Sequence, residues 1–176
     1  AVARVLAGFR PRLLAHDPWQ APSVTRSLGA EPVGLDQALA ESETLFVTAA
    51  VTSDNAGALG AEAFARMRPG AALILLSRAG VVDFDALMEA VRSGRITAAT
   101  DVFPEEPLPP GHPVRSIPGF LLSAHRAGAL DVAFRRMGEM VLEDMALLDQ
   151  GLPPQVCRRA ERETVARLRS APVTRN

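Results

Sequence analysis

Residues 71–94, AALILLSRAGVVDFDALMEAVRSG, contain one whole strand–turn–helix unit. Ala72–Leu76 is a continuous apolar run, the pattern of a strand covered on both faces. Asp83 stands where an N-cap belongs. Phe84, Leu87, Met88 and Val91 then recur at helical spacing, and Gly94 falls at the position of a C′ glycine. A buried strand followed closely by an amphipathic helix is the repeating unit of a parallel sheet.

The same alternation extends in both directions. Upstream, Leu45–Thr48 reads as a strand and Ala61–Arg68 as a helix ended by Pro69-Gly70. Leu13–Ala15 is a short strand, Pro22–Leu28 a short helix stopped by Gly29, and Leu35–Ala40 another helix. Ala1–Leu6 (AVARVL) reads like the inside of a helix, with no N-cap residue before it. Downstream, Ile96–Thr100 is a strand, Phe103–Pro118 a Pro-rich loop, and Phe120–Ser123 a strand. A long helix spans about Ala129–Gln150, with Phe134, Met137, Val141, Met145 and Leu148 on one face. No repeat or low-complexity segment interrupts the order. The pattern predicts an α/β fold, a Rossmann-like parallel sheet with helices on both faces.

Composition narrows the function classes. The chain has 176 residues, 48% hydrophobic and 22% charged, with a net charge of −1, so it can bury a core and is not a disordered segment. All 19 Lys-plus-Arg positions are Arg and are balanced by Asp and Glu, with no basic tract to suit a nucleic acid. The lone Cys157 excludes an internal disulfide and fits a reducing compartment, so a cytoplasmic location is expected. Apolar runs such as Ala71–Leu76 are far short of a membrane span, and no signal peptide opens these residues. His16, His112 and His125 are scattered without metal-ligand spacing.

In doubly wound sheets ligands bind at the carboxyl ends of the strands. Polar residues gather there in this sequence. His16-Asp17 follow the first strand, Thr48 the next, Ser77-Arg78 the central one, Asp101 the next, and Ser123 with His125 the last. Asp17 is placed to accept hydrogen bonds from an adenosine ribose, and its charge would repel a 2′-phosphate, favouring NAD over NADP. Taken alone, Asp17-Pro18 is also a common turn start. The glycine-rich loop of a dinucleotide site is missing, since no G-x-G occurs in these residues. Arg78, Glu106 and His125 would make an acid–base site. A His exchanges a proton with a hydroxyl, a carboxylate fixes its tautomer, and an Arg fork grips a substrate carboxylate. Each has a bland reading by itself: a surface Arg, a loop acid, a strand-end His bonded to backbone. Their joint placement after separate strands favours the functional reading. His112 reads as exposed or structural. Trp19 either flanks an adenine or packs.

Several stretches resemble one family. MRPGAALILLSRAGVVDFDAL (Met67–Leu87), TDVFPEEPLPPGHP (Thr100–Pro113), LLSAHRAGA (Leu121–Ala129) and LLAHDPW (Leu13–Trp19) resemble motifs of the D-isomer-specific 2-hydroxyacid dehydrogenases, in the same order and spacing. The similarity to their NAD-binding domain runs from Ala1 to about Val156. It implies Arg78, Glu106 and His125 as catalytic residues. It also implies a cofactor site of Asp17, Thr48, Ser77, Arg78, Asp101 and His125, with Asp101 against nicotinamide. Leu75, Ala124 and Ala50 stand where the family usually has Asn, Pro and Pro, and Asn55 where it often has Thr. These departures bear on substrate more than on reaction type. Glu106 separates the chain from the formate-oxidising branch, which resembles this family but pairs its His with Gln.

The resemblance carries further expectations. The first strand and its glycine-rich loop would lie upstream of Ala1, so residues 1–151 are expected to be a partial NAD-binding domain. Residues 152–176 would be a tail returning to a substrate domain, with a helix over Ala160–Leu168. A chain without the glycine loop lacks its pyrophosphate cradle and is expected to bind NAD and turn over poorly. The substrate would be a small 2-hydroxy or 2-oxo acid, and a homodimer would form through the helix faces at Ala1–Leu6 and Phe134–Leu148, unless those faces simply cover the sheet. Two other functions fit the fold less well. A non-catalytic dinucleotide sensor or corepressor would keep the triad but needs a partner-binding appendage. A flavodoxin-like receiver needs an Asp where Thr48-Ala49 stand.

Overall fold

The computed structural model describes residues 2–52 and 54–157. In chain order the elements are α1 (Val2–Leu6), β1 (Leu14–Ala15), α2 (Pro22–Ser27), β2 (Glu31–Pro32), α3 (Leu35–Glu41), β3 (Thr44–Val47), α4 (Ala61–Arg66), β4 (Ala72–Leu75), α5 (Phe84–Arg92), β5 (Thr97–Thr100), β6 (Phe120–Leu122) and α6 (Asp131–Asp149). Short 3-10 turns cover Ala7–Phe9, Ala79–Val81 and Pro113–Ser116.

Strand β4 is the centre of the molecule. It pairs in parallel with β3 on one side and β5 on the other, and β6 adds to β5, giving the order β3-β4-β5-β6. Leu73 and Leu75 are fully buried, with Leu87 of α5 and Phe64 of α4 closing over the sheet. Helix α5 forms as its spacing predicts. Asp83 accepts a hydrogen bond from the Ala86 N–H at 3.0 Å, and Gly94 takes a φ of 73° that a side chain would resist. Helix α4 stops at Arg66 rather than Arg68. Met67 turns extended (ψ 150°) ahead of the Arg68-Pro69 pair, where a helical conformation is disfavoured. Its last carbonyls are taken by Arg95, which donates to Phe64 O at 3.0 Å, to Met67 O at 2.9 Å and also to Ala65 O.

Three features of the fold go beyond the expectation. First, the parallel strands form two sheets, since β1 and β2 pair with each other, apart from the four-stranded sheet. Second, β2 was not foreseen. It is two residues long and includes a proline, tolerated because the neighbouring N–H groups of Glu31 and Val33 donate to Leu13 O at 2.8 Å and Ala15 O at 3.0 Å. Third, the apolar stripe of α6 does not cover the sheet. Phe134, Met137, Val141, Met145 and Leu148 are all at least half exposed. Val5, near the chain start, is likewise exposed.

Beside this stripe, four residues before Leu148, Asp144 is buried. Its carboxylate accepts the N–H groups of Gln155, Val156 and Cys157 at 2.7, 2.9 and 2.6 Å. Those bonds hold the acid down to a pKa of about 2. The start of the tail is thereby fastened to α6, and the expected helix over residues 160–168 lies outside the described residues. No helix of the described residues is long and apolar enough to cross a membrane.

Candidate active site at the carboxyl ends of the strands

The parallel ladder brings the ends of β4, β5 and β6 to one edge. Register pairs Leu75 with Thr100 and Thr100 with Leu122, so the residues that follow each strand emerge side by side. Ser77-Arg78 leave β4, Asp101 leaves β5, and Ser123 with His125 leaves β6.

Asp101 organises this edge. It is 2% exposed, and its two oxygens accept the backbone N–H groups of Arg126 at 2.8 Å and Ala127 at 2.7 Å. Burial pushes the Asp101 carboxyl up. The Ser123 hydroxyl, the two N–H groups and the charge of His125 outweigh burial and hold it below the usual carboxylate range. The consequence falls on the residue before the clamp. His125 adopts φ 52°, in the left-handed region that costs about 1–2 kcal/mol for an L-residue. Such strain persists only where neighbours over-determine it, and Asp101 does so here. Asp101, expected against nicotinamide, holds backbone at this edge.

His125 so placed meets Glu106. Its Nδ1 lies 2.6 Å from Glu106 Oε2, while Glu106 Oε1 accepts the Phe103 N–H at 2.9 Å. Partial burial pushes the Glu106 carboxyl up. The His125 bond, the Phe103 N–H and the charges of His125 and Arg78 together hold it below its ordinary range. An ionised carboxylate only accepts, so Nδ1 carries the proton and Nε2 is left for chemistry. Arg78 is exposed, donates to Ser77 O at 2.7 Å and acts on Glu106 through its charge rather than a direct bond. A cleft of about 440 Å3 opens beside the pair, walled by Phe103, Leu108, Leu122 and Arg115.

The remaining expected residues fall into two groups. Ser77 sits at the same edge, and its buried Oγ lacks a hydrogen-bond partner among the described residues. A buried hydroxyl of that kind is satisfied by a ligand or water. Thr48 follows β3 and is exposed. Asp17 lies with the other sheet, beyond β1, where Oδ1 accepts the Trp19 N–H at 3.0 Å. His112 is structural: its Nδ1 accepts the Val114 N–H at 3.2 Å and its ring meets Phe84 edge-on. His16 bonds Val33 O at 3.2 Å. Sequence reasoning missed Ser123 as a partner of Asp101, Arg115 in the cleft wall, and the loop tie made by Asn55. The last of these accepts the Thr52 N–H and donates to Ala50 O, both at 2.7 Å.

The parallel sheets with helices, and polar groups gathered at the strand ends, define a Rossmann-like α/β domain. The chain belongs to the family described as D-isomer specific 2-hydroxyacid dehydrogenase, NAD binding domain, which matches residues 1–127. It is 35% identical over 158 residues to a glyoxylate reductase of Korarchaeum cryptofilum, covering 89% of this chain and 48% of that protein. It is 34% identical over 147 residues to a D-3-phosphoglycerate dehydrogenase of Mycobacterium leprae, covering 83% of this chain and 28% of that protein. A crystal structure of a phosphoglycerate oxidoreductase from Rhizobium etli superposes with a TM-score of 0.85 at 63% identity, over 93% of this chain and 49% of that one. The chain thus spans about half the length, or less, of the relatives it matches.

Proposed function

We propose that these residues are the cofactor half of an NAD-dependent oxidoreductase acting at C2 of a small 2-hydroxy or 2-oxo acid. The observation that carries this reading is the 2.6 Å contact between His125 Nδ1 and Glu106 Oε2 at the strand-end edge. The residues suit the dinucleotide. Asp17 keeps one carboxylate oxygen for a ribose, and the orphaned Ser77 hydroxyl, with Thr48, offers polar contacts on the same side of the strands. The dinucleotide, when bound, supplies or accepts hydride. The protein's own part is proton transfer and orientation. Glu106 fixes the tautomer of His125, and Nε2 takes the proton of the substrate hydroxyl in oxidation or returns it to the oxo oxygen in reduction. Arg78, held off the pair, grips the substrate carboxylate. Asp101 maintains the conformation that aims the imidazole. Relatives named for glyoxylate and phosphoglycerate share a carboxylate next to the reacting carbon, which matches the Arg78 assignment.

Strand order supports a second part of the proposal, that residues 1–151 are a portion of a larger domain. A doubly wound sheet runs 3-2-1-4-5-6. Removing its first strand leaves one piece from the second and third strands and another from the fourth onward. The sheets β1-β2 and β3-β4-β5-β6 divide in that way, the second with one strand more than that order has. In the whole protein the strand between β1 and β3 would come with a glycine-rich turn, the tail would reach a substrate domain, and the bare face of α6 would be buried in a homodimer.

The test is turnover by the full-length protein of NADH with glyoxylate and other 2-oxo acids, and of NAD with 3-phosphoglycerate, glycerate and lactate. Glu106→Gln should lower kcat by roughly 10²-fold or more, with little change in NADH affinity. Micromolar NADH binding with no turnover of any such acid would overturn the reading in favour of a sensor.

A further inference from the structure

Glu106 sits on a segment that is poorly equipped to hold itself. In residues 104–110, PEEPLPP, Pro104, Pro107, Pro109 and Pro110 have no N–H to donate. The residues on either side of Glu106 are exposed, and Leu108 and Pro109 only half-buried. Yet the carboxylate must stay within hydrogen-bond reach of an imidazole that belongs to a different strand end. A segment short of backbone donors is best fixed through its carbonyls, and that is where the bonds are. Arg115 donates from Nε to Pro109 O at 3.0 Å and from Nη2 to Leu108 O at 2.8 Å. The His112 N–H adds a bond to Pro109 O at 3.1 Å.

The base of Arg115 is itself fixed. It rides on the 3-10 turn Pro113–Ser116, whose Val114 is 1% exposed, and Ile117 just beyond is also in the core. The planar fork of Arg spans two neighbouring carbonyls, which a single ammonium cannot do. Its bond to Leu108 O is made two residues beyond Glu106, and both side chains wall the same cleft as His125.

Resting on the reading of Glu106 as the partner of His125, we propose that Arg115 is a positioning residue: a guanidinium clasp that holds the proline-rich segment so that Glu106 stays on His125 Nδ1. Substrate and cofactor need not touch it. Loosening the clasp lets Glu106 swing toward water, and the imidazole loses its tautomer lock before the fold is lost.

The test follows the Glu106 carboxyl carbon by NMR as pH is lowered, in the wild-type chain and in four variants. His125→Asn removes the partner directly and should move the Glu106 titration upward by the largest amount. Arg115→Gln should move it upward by a large fraction of that change. Arg115→Lys keeps the charge but spans only one carbonyl, and should fall between. Arg126→Gln removes an equal charge beside His125 without touching the clasp, and should move it least. An Arg115→Gln titration no higher than that of Arg126→Gln overturns the clasp, whatever happens to thermal stability. If Arg115→Gln does not fold, Arg115→Lys decides: a rise supports the clasp and a wild-type titration overturns it. The two readings fail separately. Should His125→Asn leave Glu106 unmoved, the acid–base pair itself is wrong; should only the Arg115 variants leave it unmoved, the clasp alone is wrong.

Discussion

Leu73 and Leu75 in the middle of the four-stranded sheet are sealed from water, whereas both residues of β1 in the two-stranded sheet keep part of their surface exposed. The larger sheet is ordered by apolar packing, with Phe64, Leu87 and Ile96 closed over it. The smaller one has two-residue strands and an exposed charge network, in which Arg12 reaches Glu31 at 3.0 Å and Glu41 at 2.6 Å. The difference sorts the chemistry. In the proposed function, the groups that hold a proton-transfer geometry are built on the larger sheet. Asp17, proposed only to accept hydrogen bonds from a ribose, stands on the lightly held one. An acid–base pair is sensitive to small displacements, and a ribose contact tolerates more.

The most direct way to break this contrast is to damage the rigid side. Leu75 is fully buried in β4, and its carbonyl also accepts the Asp101 N–H at 3.1 Å. Leu75→Ala should cost about 2–5 kcal/mol, because the cavity left behind adds to the lost transfer energy. Urea unfolding monitored by circular dichroism reads it as a lowered midpoint at unchanged slope. A loss under about 1 kcal/mol would mean the sheet is less tightly packed than its burial indicates.

Asp101 tests the link from core to site. In Asp101→Asn one oxygen still accepts an N–H, but the amide NH2 faces a second donor. The substitution should cost about 1–3 kcal/mol for a buried group left unsatisfied. It should also relax the left-handed backbone at His125 and reduce turnover in the full-length protein. The pH dependence has a definite sign. The folded-state pKa of Asp101 lies below its ordinary value. Its contribution is therefore complete above the unfolded carboxylate pKa, near 4, and is lost as pH falls through the folded value. Wild-type stability should decline with acid over that window. Asp101→Asn should decline less steeply, because the titrating group is gone. Parallel curves for the two proteins would remove Asp101 from the account.

How much of this was legible in the residues depends on what holds each part. The unit β4–α5 could be read because burial writes a pattern: a run of apolar residues, then a cap, then a helical period. Arg78, Glu106 and His125 could be brought together because parallel strands deliver their ends to one edge. Glu31–Pro32 could not, since a two-residue strand made by alternate N–H groups leaves no periodicity. The clamp that Asp101 makes on the Arg126 and Ala127 N–H groups could not be read, because an acid after a strand looks the same whether or not it holds backbone. The period of α6 was plain, yet period alone cannot say whether Phe134 and Met145 meet the sheet or solvent. Arg95 and Arg115 left no mark at all, because their partners are carbonyls and every residue has one.

Arg12 supplies the smallest expected effect and the sharpest statement of the contrast. It joins the approach to β1 to β2 and to the end of α3, but its side chain is 59% exposed, and those of Glu31 and Glu41 are 50% and 40% exposed. Exposed ion pairs gain little, because water competes for each charge and holding long side chains costs entropy. Arg12→Gln should therefore lower the urea midpoint by less than Leu75→Ala or Asp101→Asn. Salt adds a second discriminator. Near 1 M the screening length shrinks to about 3 Å, so the gap between wild type and Arg12→Gln should close. The gap for Leu75→Ala should persist, since cavity energies do not depend on charge screening. If Arg12→Gln remains clearly destabilised at high salt, the two-stranded sheet relies on packing of the Arg12 methylenes rather than on its charges, and the two sheets are less different than their burial makes them.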